Sequence, residues 1–310
     1  MKLINQSHTI ITEHDPYKLI EACGRICYKS EDRITEGSSS GFVSSLVKRG
    51  HLSVIEHAYI AFQLSPITIR DIKLTSRYNN FLNGVIDDLF ITTSSTKNYI
   101  ASANFRAWKE FLEIPRVLDS PGIKSIARYL NINYPEIFPY VDALPDNAKP
   151  VTADDMATME RAMHTVRTVK FITDRGVTHE LVRHRPCAIS QESTRYVRYD
   201  GNMEFVKPVW WKDQQDAAQK RFIYFCDYTE QKYQELLQLG WPPQQARQVL
   251  SFSVKSEIVM TGTLRQWFHM FNLRCSKPAH PQIRALMKPV LKEFILDEPK
   301  IFGQQKDLLN

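Results

Sequence analysis

Val166–Thr173 reads as a strand, and Asp174, directly after it, reads as the N-cap of a helix that runs to about Arg185. Sheet and helix therefore meet in one short stretch, and most of the remaining pattern is helical. Asp15–Lys29 is a helix with Asp15 as its cap, Pro16 in the first position and an apolar stripe of Leu19, Ala22, Cys23 and Ile26. Ser38–Arg49 is a second, stopped by Gly50. Ala58–Leu64 reads as a strand. Helices are expected at Ala101–Glu113 and near Ile123–Leu130, and from a capping-box-like Thr152/Asp155 start to about His164. Ser190–Tyr199 reads as loop and strand. Trp211–Leu239 reads as one long amphipathic helix ended by Gly240, Pro242–Pro243 opens another to about Leu250, and Leu264–Cys275 and Pro281–Ile295 are the last two. Between Pro66 and Pro150 lie a polar Ser/Thr/Asn stretch and a Pro-punctuated segment, Tyr134–Pro150, and the pattern is weakest there. A short echo links two helix starts: Arg106 and Trp108 stand as Arg265 and Trp267 do.

The chain of 310 residues is 43% hydrophobic and 24% charged, values that exclude a disordered or fibrous protein. No apolar stretch approaches the ~20 residues of a membrane helix, and Met1–Ile10 has no apolar core of a secretory signal. Five cysteines, an odd number without a CxxC pair, fit a reducing compartment. The expectation is a soluble cytoplasmic protein.

Charge is concentrated. Arg161–Arg198 carries eight Lys/Arg against three Asp/Glu, and Arg247–Lys292 eight against one, although the whole chain is only +6. A coat for nucleic acid would spread its charge or place it in tails. Two basic segments interleaved with aromatics and hydroxyls look more like walls of an anion site, with solvated helix faces as the plain alternative.

Several motifs fail on spacing. His179-Glu180 suggests a zinc protease, but position i+4 is Arg183 and the second histidine, His184, is at i+5, ~140° around the helix. No metal site is expected. Cys187 has cations nearby that would favour a thiolate, yet no nucleophile signature surrounds it. Ser190 and Ser193 lack a G-x-S-x-G elbow, and GxGxxG and Walker A loops are absent.

Arg183-His184-Arg185, followed after seven residues by Ser193-Thr194-Arg195-Tyr196, places three guanidiniums, one imidazole and two hydroxyls within fourteen residues. Guanidinium forks bind phosphate in bidentate fashion, and hydroxyls complete an oxyanion shell. Helix C-terminal capping explains one or two of these cations, but not the full set.

The Arg-His-Arg-x7-Ser pattern resembles the signature of the flavin-dependent thymidylate synthases. His51-Leu-Ser-Val-Ile-Glu56-His57 resembles that family's upstream histidine segment, Asp174–Arg185 its signature helix and Gln191–Tyr196 its substrate loop. Ala246-Arg247-x-x-Leu250 resembles a downstream substrate segment. Leu264-Arg265 and Phe271-Asn-Leu-Arg274 resemble the final flavin and pyrimidine segment. The matches run in family order from about residue 15 to residue 295. They are interrupted at about 65–162, which makes the chain long for the family.

The resemblance implies an α+β fold, with helices around a mainly antiparallel sheet. It implies a single catalytic domain, 1–310, carrying an insertion at about 65–162 that adds no catalytic group. It implies reductive methylation of dUMP to dTMP, with FAD as cofactor and methylenetetrahydrofolate and NADPH as co-substrates, in a homotetramer whose sites are built from several subunits. By the same resemblance Arg183, His184, Arg185, Arg265, His269, Gln191 and His57 meet FAD. Glu180, Arg183, Gln191, Ser193, Arg195, Arg247 and Arg274 hold dUMP, with the phosphate on Ser193 and Arg195. Arg274 lies against the uracil as the residue tied to the chemistry, and His57 and Tyr196 lie near the folate and nicotinamide. Departures stand at Glu180, where the family often has Gln; at Gln191, where Glu is common; at Thr263 and His269, where Asn is common; at Pro278, where His is frequent; and at Cys27, which replaces a small hydroxyl residue. The competing reading is a basic nucleic-acid-binding protein, with Tyr196 and Tyr199 as stacking residues.

Overall fold

The computed structural model describes residues 1–77, 90–93, 99–114, 117–139 and 148–310. In chain order its elements are β1 (Lys2–Ile4), β2 (Ser7–Ile11), α1 (Pro16–Ile26), α2 (Ser38–Lys48), β3 (Tyr59–Leu64), α3 (Pro66–Arg77), β4 (Phe90–Thr93), β5 (Tyr99–Asn104), α4 (Phe105–Leu112), α5 (Pro121–Asn133) and α6 (Thr158–His164). They continue with β6 (Val166–Asp174), α7 (Arg175–Leu181), β7 (Ala188–Gln191), β8 (Glu204–Val206), α8 (Asp216–Gln238), α9 (Pro243–Ala246), β9 (Lys255–Thr263), α10 (Leu264–Arg274), α11 (Pro281–Asp297) and α12 (Pro299–Phe302). The fold is α+β. An antiparallel sheet ordered β2-β6-β9-β7 and a second one ordered β3-β5-β4 are flanked by helices, and a short parallel pair joins β1 to β8. No helix of the described residues is long and apolar enough to cross a membrane.

Strand β9 organises the larger sheet. All nine of its residues are buried, and it pairs with β6 from Val166↔Thr263 to Asp174↔Lys255 and with β7 from Ala188↔Thr261 to Gln191↔Ile258. Side chains alternate across a strand, so its two faces differ. Ile258 and Met260 join Val169, Phe171, Trp267 and Phe271 in an apolar core under α7, α10 and α11. On the other face Val259 packs on Leu19, Cys23 and Ile26 of α1, while Glu257 and Thr261 meet polar partners. A second core, with Ile20, Val43, Phe62, Phe105, Trp108 and Phe138, joins α1 and α2 to the sheet of β3, β5 and β4.

Capping residues act as the sequence indicates. Asp15 Oδ1 accepts from the N–H groups of Tyr17 (2.8 Å) and Lys18 (3.1 Å), Asp174 Oδ1 accepts from Val177 N–H at 2.8 Å, and Gly50 follows α2 at φ 72°. The Arg-x-Trp echo is structural as well. Each helix follows its strand directly, and each indole N–H donates to a carbonyl of a strand in the same sheet: Trp108 to Ile60 O (3.1 Å) and Trp267 to Arg167 O (3.0 Å).

Several expected boundaries are corrected. Ala101–Glu113 is strand up to Asn104, because the small residues Ala101, Ser102 and Ala103 fill the buried centre of a sheet; Asn104 then caps α4 through Ala107 N–H. The helix expected to reach Arg185 ends at Leu181. Pro186 disfavours helical geometry at Arg185, and the Glu180 carbonyl is taken by Arg274. Thr152 and Asp155 form a capping box around a short 3-10 turn, and the α-helix starts only at Thr158. Trp211–Asp213 is a separate turn before α8, and Arg247–Val249 a 3-10 turn after α9. Parts of the polar stretch and of Tyr134–Pro150 lie outside the described residues.

Candidate functional site

The turn after α7 and the end of α10 meet at Arg274. Its Nε donates to His184 Nε2 (3.0 Å), Nη1 to Glu180 Oε2 (2.9 Å) and Nη2 to the Glu180 carbonyl oxygen (2.9 Å). A guanidinium has five N–H groups, so two remain for a ligand. Burial lowers the Arg274 pKa, against the pull of Glu180; the group stays charged at neutral pH. His184 is buried, and burial together with the nearby Arg274 and Arg183 guanidiniums brings its pKa down to about 4. It is therefore a neutral acceptor near pH 7.

His184 also lines a cavity of about 280 Å³ with Met163, Cys187, Thr263, Arg265 and His269. Arg265 and His269 are exposed on α10 one turn apart, and Arg265 Nη1 lies 3.2 Å from Met163 Sδ. Arg183 and Arg185 are exposed, and their guanidiniums make no hydrogen bond or ion pair among the described residues. Cys187 is 7% exposed, and burial pushes its thiol pKa up to about 12. Thiolate chemistry is thereby disfavoured. A side chain at Gly262 would meet Cys187 Sγ at 3.0 Å and Gln266 Oε1 at 3.1 Å, so the strand packs closely against both side chains there.

Gln191 ends β7 on the same face as α7, where its Nε2 donates to Thr178 Oγ1 (2.9 Å) and Ser256 Oγ (3.1 Å). The next residues turn toward the end of α1. Ser193 N–H donates to the Cys27 carbonyl (3.1 Å), Arg195 N–H donates to Ser193 Oγ (3.3 Å), and the Arg195 guanidinium lies 5.5 Å from the Tyr196 ring centre. Tyr196 packs on Tyr28 at 5.1 Å, and Arg247 Nη1 donates to Thr194 Oγ1 (3.3 Å). Tyr28 opens onto a basic cavity of about 450 Å³ with Arg25, Lys29, Arg33, Arg49 and His51 on its walls. Arg25 is held by Glu21, whereas Arg33 and Arg49 have no ion pair among the described residues. This cavity was not singled out from the sequence. Its cations come from the end of α1 and from the connections after α1 and α2, and Glu31 and Asp32 offset the charge between Lys29 and Arg33, so no strongly basic run marks it.

His57 lies elsewhere. It is fully buried on the α1 face of the sheet, with Nδ1 2.7 Å from Thr261 Oγ1 and Nε2 3.0 Å from Ser190 Oγ. Burial lowers its pKa to about 3. It reaches the floor of a groove of about 1060 Å³ beside β2, β6 and α11. Ser190 and Gln191 point to opposite faces of β7, so His57 and Gln191 are not brought together within one chain. Glu180, Arg183, His184, Arg185, Arg265, His269 and Arg274 form one group. Ser193, Arg195, Tyr196 and Arg247 form a second, with Gln191 between them. Among the described residues, no cluster of three or more His, Cys, Asp or Glu is arranged to hold a metal ion.

The model of the thymidylate synthase complementing protein family matches residues 8–72 and 157–300, more than half of the chain, and leaves 73–156 between the two matched stretches. The flavin-dependent thymidylate synthase of Corynebacterium glutamicum is 33% identical over 144 residues, which cover 42% of this chain and 57% of that protein. The enzyme of the same name from Geobacter sulfurreducens is 34% identical over 131 residues, covering 41% and 55%. The chain thus spans a little over half the length of these curated relatives. Among solved structures, a UMP/dUMP methylase, PolB from Streptomyces cacaoi bound with 5-Br dUMP, aligns with a TM-score of 0.44 and 15% identity over 98% of this chain and 97% of that one. On the two-part match of the family model, the chain belongs to the thymidylate synthase complementing protein family.

Proposed function

We propose that the chain is a flavin-dependent thymidylate synthase that converts dUMP to dTMP, with methylenetetrahydrofolate as carbon donor and NADPH as reductant. The observation that carries this reading is the knot of Arg274, Glu180 and His184, set beside the cationic side chains of Arg183, Arg185 and Arg265 and a cavity of about 280 Å³. A dinucleotide carries a pyrophosphate, and Arg265 on the cavity wall, with the exposed guanidiniums of Arg183 and Arg185 on either side of His184 in the chain, suits that anion. The donor set therefore fits FAD, which when bound supplies the two-electron chemistry of the reductive step.

The chain's own residues take the other tasks. Arg183, Arg185, Arg265 and His269 hold the cofactor, with neutral His184 behind them. Ser193 Oγ and the Arg195 guanidinium take the nucleotide phosphate, and Arg247 lies beside them on Thr194. The two free N–H groups of Arg274 face the uracil carbonyl and stabilise the negative charge that develops when the pyrimidine is attacked. Tyr196 and Tyr28 form an aromatic shelf for the folate, next to the basic cavity of Arg33 and Arg49. The split between the Arg274 and Ser193 groups, with His57 behind the sheet, supports a site completed between copies in a homotetramer. Residues 65–162 act as an insertion that supplies no group to the reacting atoms, within a single catalytic domain in the cytoplasm.

The test is dTMP formation from dUMP, methylenetetrahydrofolate and NADPH by FAD-loaded protein. Loss of activity without FAD is expected, together with a stoichiometric flavin spectrum after gel filtration. A colourless protein that retains single-stranded nucleic acid instead would overturn the reading.

A further inference from the structure

We propose that Glu192 is a positioning residue: from within the sheet it fixes the Ser193–Arg195 turn that receives the nucleotide phosphate. The inference rests on the nucleotide-binding reading above. Glu192 follows the last residue of β7, and its N–H donates to the Glu257 carbonyl at 2.8 Å, which extends the pairing with β9 by one step. Its side chain is wholly buried. Oε1 accepts from the Tyr199 hydroxyl (2.8 Å), and Oε2 accepts from Glu257 N–H (3.1 Å) and Lys255 Nζ (3.3 Å).

These bonds span the turn. Within it the Ser193 carbonyl accepts from Tyr196 N–H (3.2 Å) and Val197 N–H (2.9 Å). Glu192 stands just before the turn and Tyr199 just after it, so their bond ties its two ends together and to β9. The charges beneath extend the tie. Lys255 Nζ also donates to Glu257 Oε1 (2.6 Å), Lys170 Nζ lies 2.5 Å from Glu257 Oε2, and Lys29 pairs with Glu257 as well. Three lysines thus meet two buried carboxylates, with Glu31 and Glu204 each 3.9 Å from a lysine at the rim. Lys29 follows Cys27 by two residues, and the Cys27 carbonyl accepts the Ser193 N–H. One network therefore joins the end of α1, β6, β9 and both ends of the turn.

A buried ion cluster is a poor source of stability, since apolar side chains of similar volume do as well or better. Its directional bonds instead define one position. Here the position defined is that of the Ser193 hydroxyl and the Arg195 backbone.

The experiment compares dUMP with deoxyuridine, which lacks the phosphate, by titrating the flavin absorbance of FAD-loaded parent, Glu192→Gln and Tyr199→Phe. Both variants should weaken dUMP about tenfold, the scale of one lost hydrogen bond to a charged group. Deoxyuridine affinity and the flavin spectrum should not change, and KM for dUMP should rise with kcat nearly constant. Equal weakening of dUMP and deoxyuridine would reduce Glu192 to a support of the fold, and unchanged dUMP affinity in both variants would overturn the role outright. A parent that holds flavin but binds no dUMP would overturn the nucleotide reading itself, and the positioning role with it.

Discussion

Nε of Arg274 donates to Nε2 of His184 at 3.0 Å, linking residues ninety positions apart. A ring nitrogen that accepts this bond carries no proton, so the imidazole is held in the tautomer protonated at Nδ1. The same guanidinium takes the Glu180 carboxylate and the Glu180 carbonyl at the end of α7. It therefore does two jobs at once. It closes the C-terminus of a neighbouring helix, a cation's favoured place, and it holds His184, which lines a cavity.

Arg274→Ala separates the two jobs. A residue that only closed the helix would cost stability with little change in turnover. On the proposed reading the variant folds, keeps FAD and loses dTMP synthesis by roughly two to three powers of ten, the scale of a lost electrostatic stabiliser. The His184 pKa should also rise above about 4, since Arg274 is, after burial, the largest influence holding it down. Turnover at near the parent rate would sink the assignment and pass the role to Arg247.

Cys187 lines the cavity of Arg265 and His269, yet its burial holds the thiol protonated, with a pKa near 12. Cys187→Ala should keep dTMP synthesis, and the parent thiol should react slowly with iodoacetamide at neutral pH. A loss of about 10⁴ in turnover with FAD and dUMP still bound would mark a covalent nucleophile instead.

Arg106 bridges Glu56 (2.8 Å) and Glu110 (2.7 Å), with 41% of its side chain exposed. Exposed pairs contribute about 0.2–1 kcal/mol. Arg106→Ala should thus lower the melting temperature slightly and leave turnover nearly unchanged. A large fall in FAD affinity would show that this segment enters the site.

The helices with polar caps and one apolar stripe were legible: Asp15, Asp174 and Gly50 act as their residue types suggest. The most important strand was not. Lys255–Thr263 is buried on both faces, so it lacks the alternation that marks a half-exposed strand, and its charged Lys255 and Glu257 are paired with each other inside the sheet. Ser7–Ile11 is short and follows no turn signal. Ala101–Ala103 reads as helix by propensity, and its pairing with β3 and β4 overrides that preference.

Of the candidate site, the cationic segment at Arg183–Arg195 was legible because its residues are close in sequence. The Arg274–Glu180–His184 contact depends on how α7 and α10 cross, and no spacing encodes it. The division of the set by β7 follows from a period of two, but only once the strand's limits at Ala188 and Gln191 are known. Glu192 was invisible for a similar reason. A single glutamate among cations reads as charge balance, and its partners Tyr199, Lys255 and Glu257 are supplied by a turn and by the unrecognised strand.

Three buried histidines make the fold sensitive to acid. Burial lowers the pKa of His57 to about 3, and those of His164 and His184 to about 4. Each ring is placed to be neutral: His57 between Thr261 and Ser190, His164 between Ser102 and Thr92, and His184 under Arg274. In the unfolded chain each has a pKa of about 6.5. Between about pH 6.5 and pH 4 the unfolded state therefore binds more protons than the folded one, and stability rises with pH through that window. The contribution is fully present above about pH 6.5 and is lost as pH falls toward the folded-state values. One pKa unit corresponds to about 1.4 kcal/mol, so each histidine should cost about 1–2 kcal/mol between pH 7 and pH 5. Urea unfolding at the two pH values should show this as a lower midpoint at pH 5. His57→Gln, which removes one titrating group while keeping donor and acceptor atoms, should lessen the pH dependence by about a third of the histidine contribution. A midpoint that stays constant from pH 7 to pH 5 would show that the three rings are already solvated in the native state.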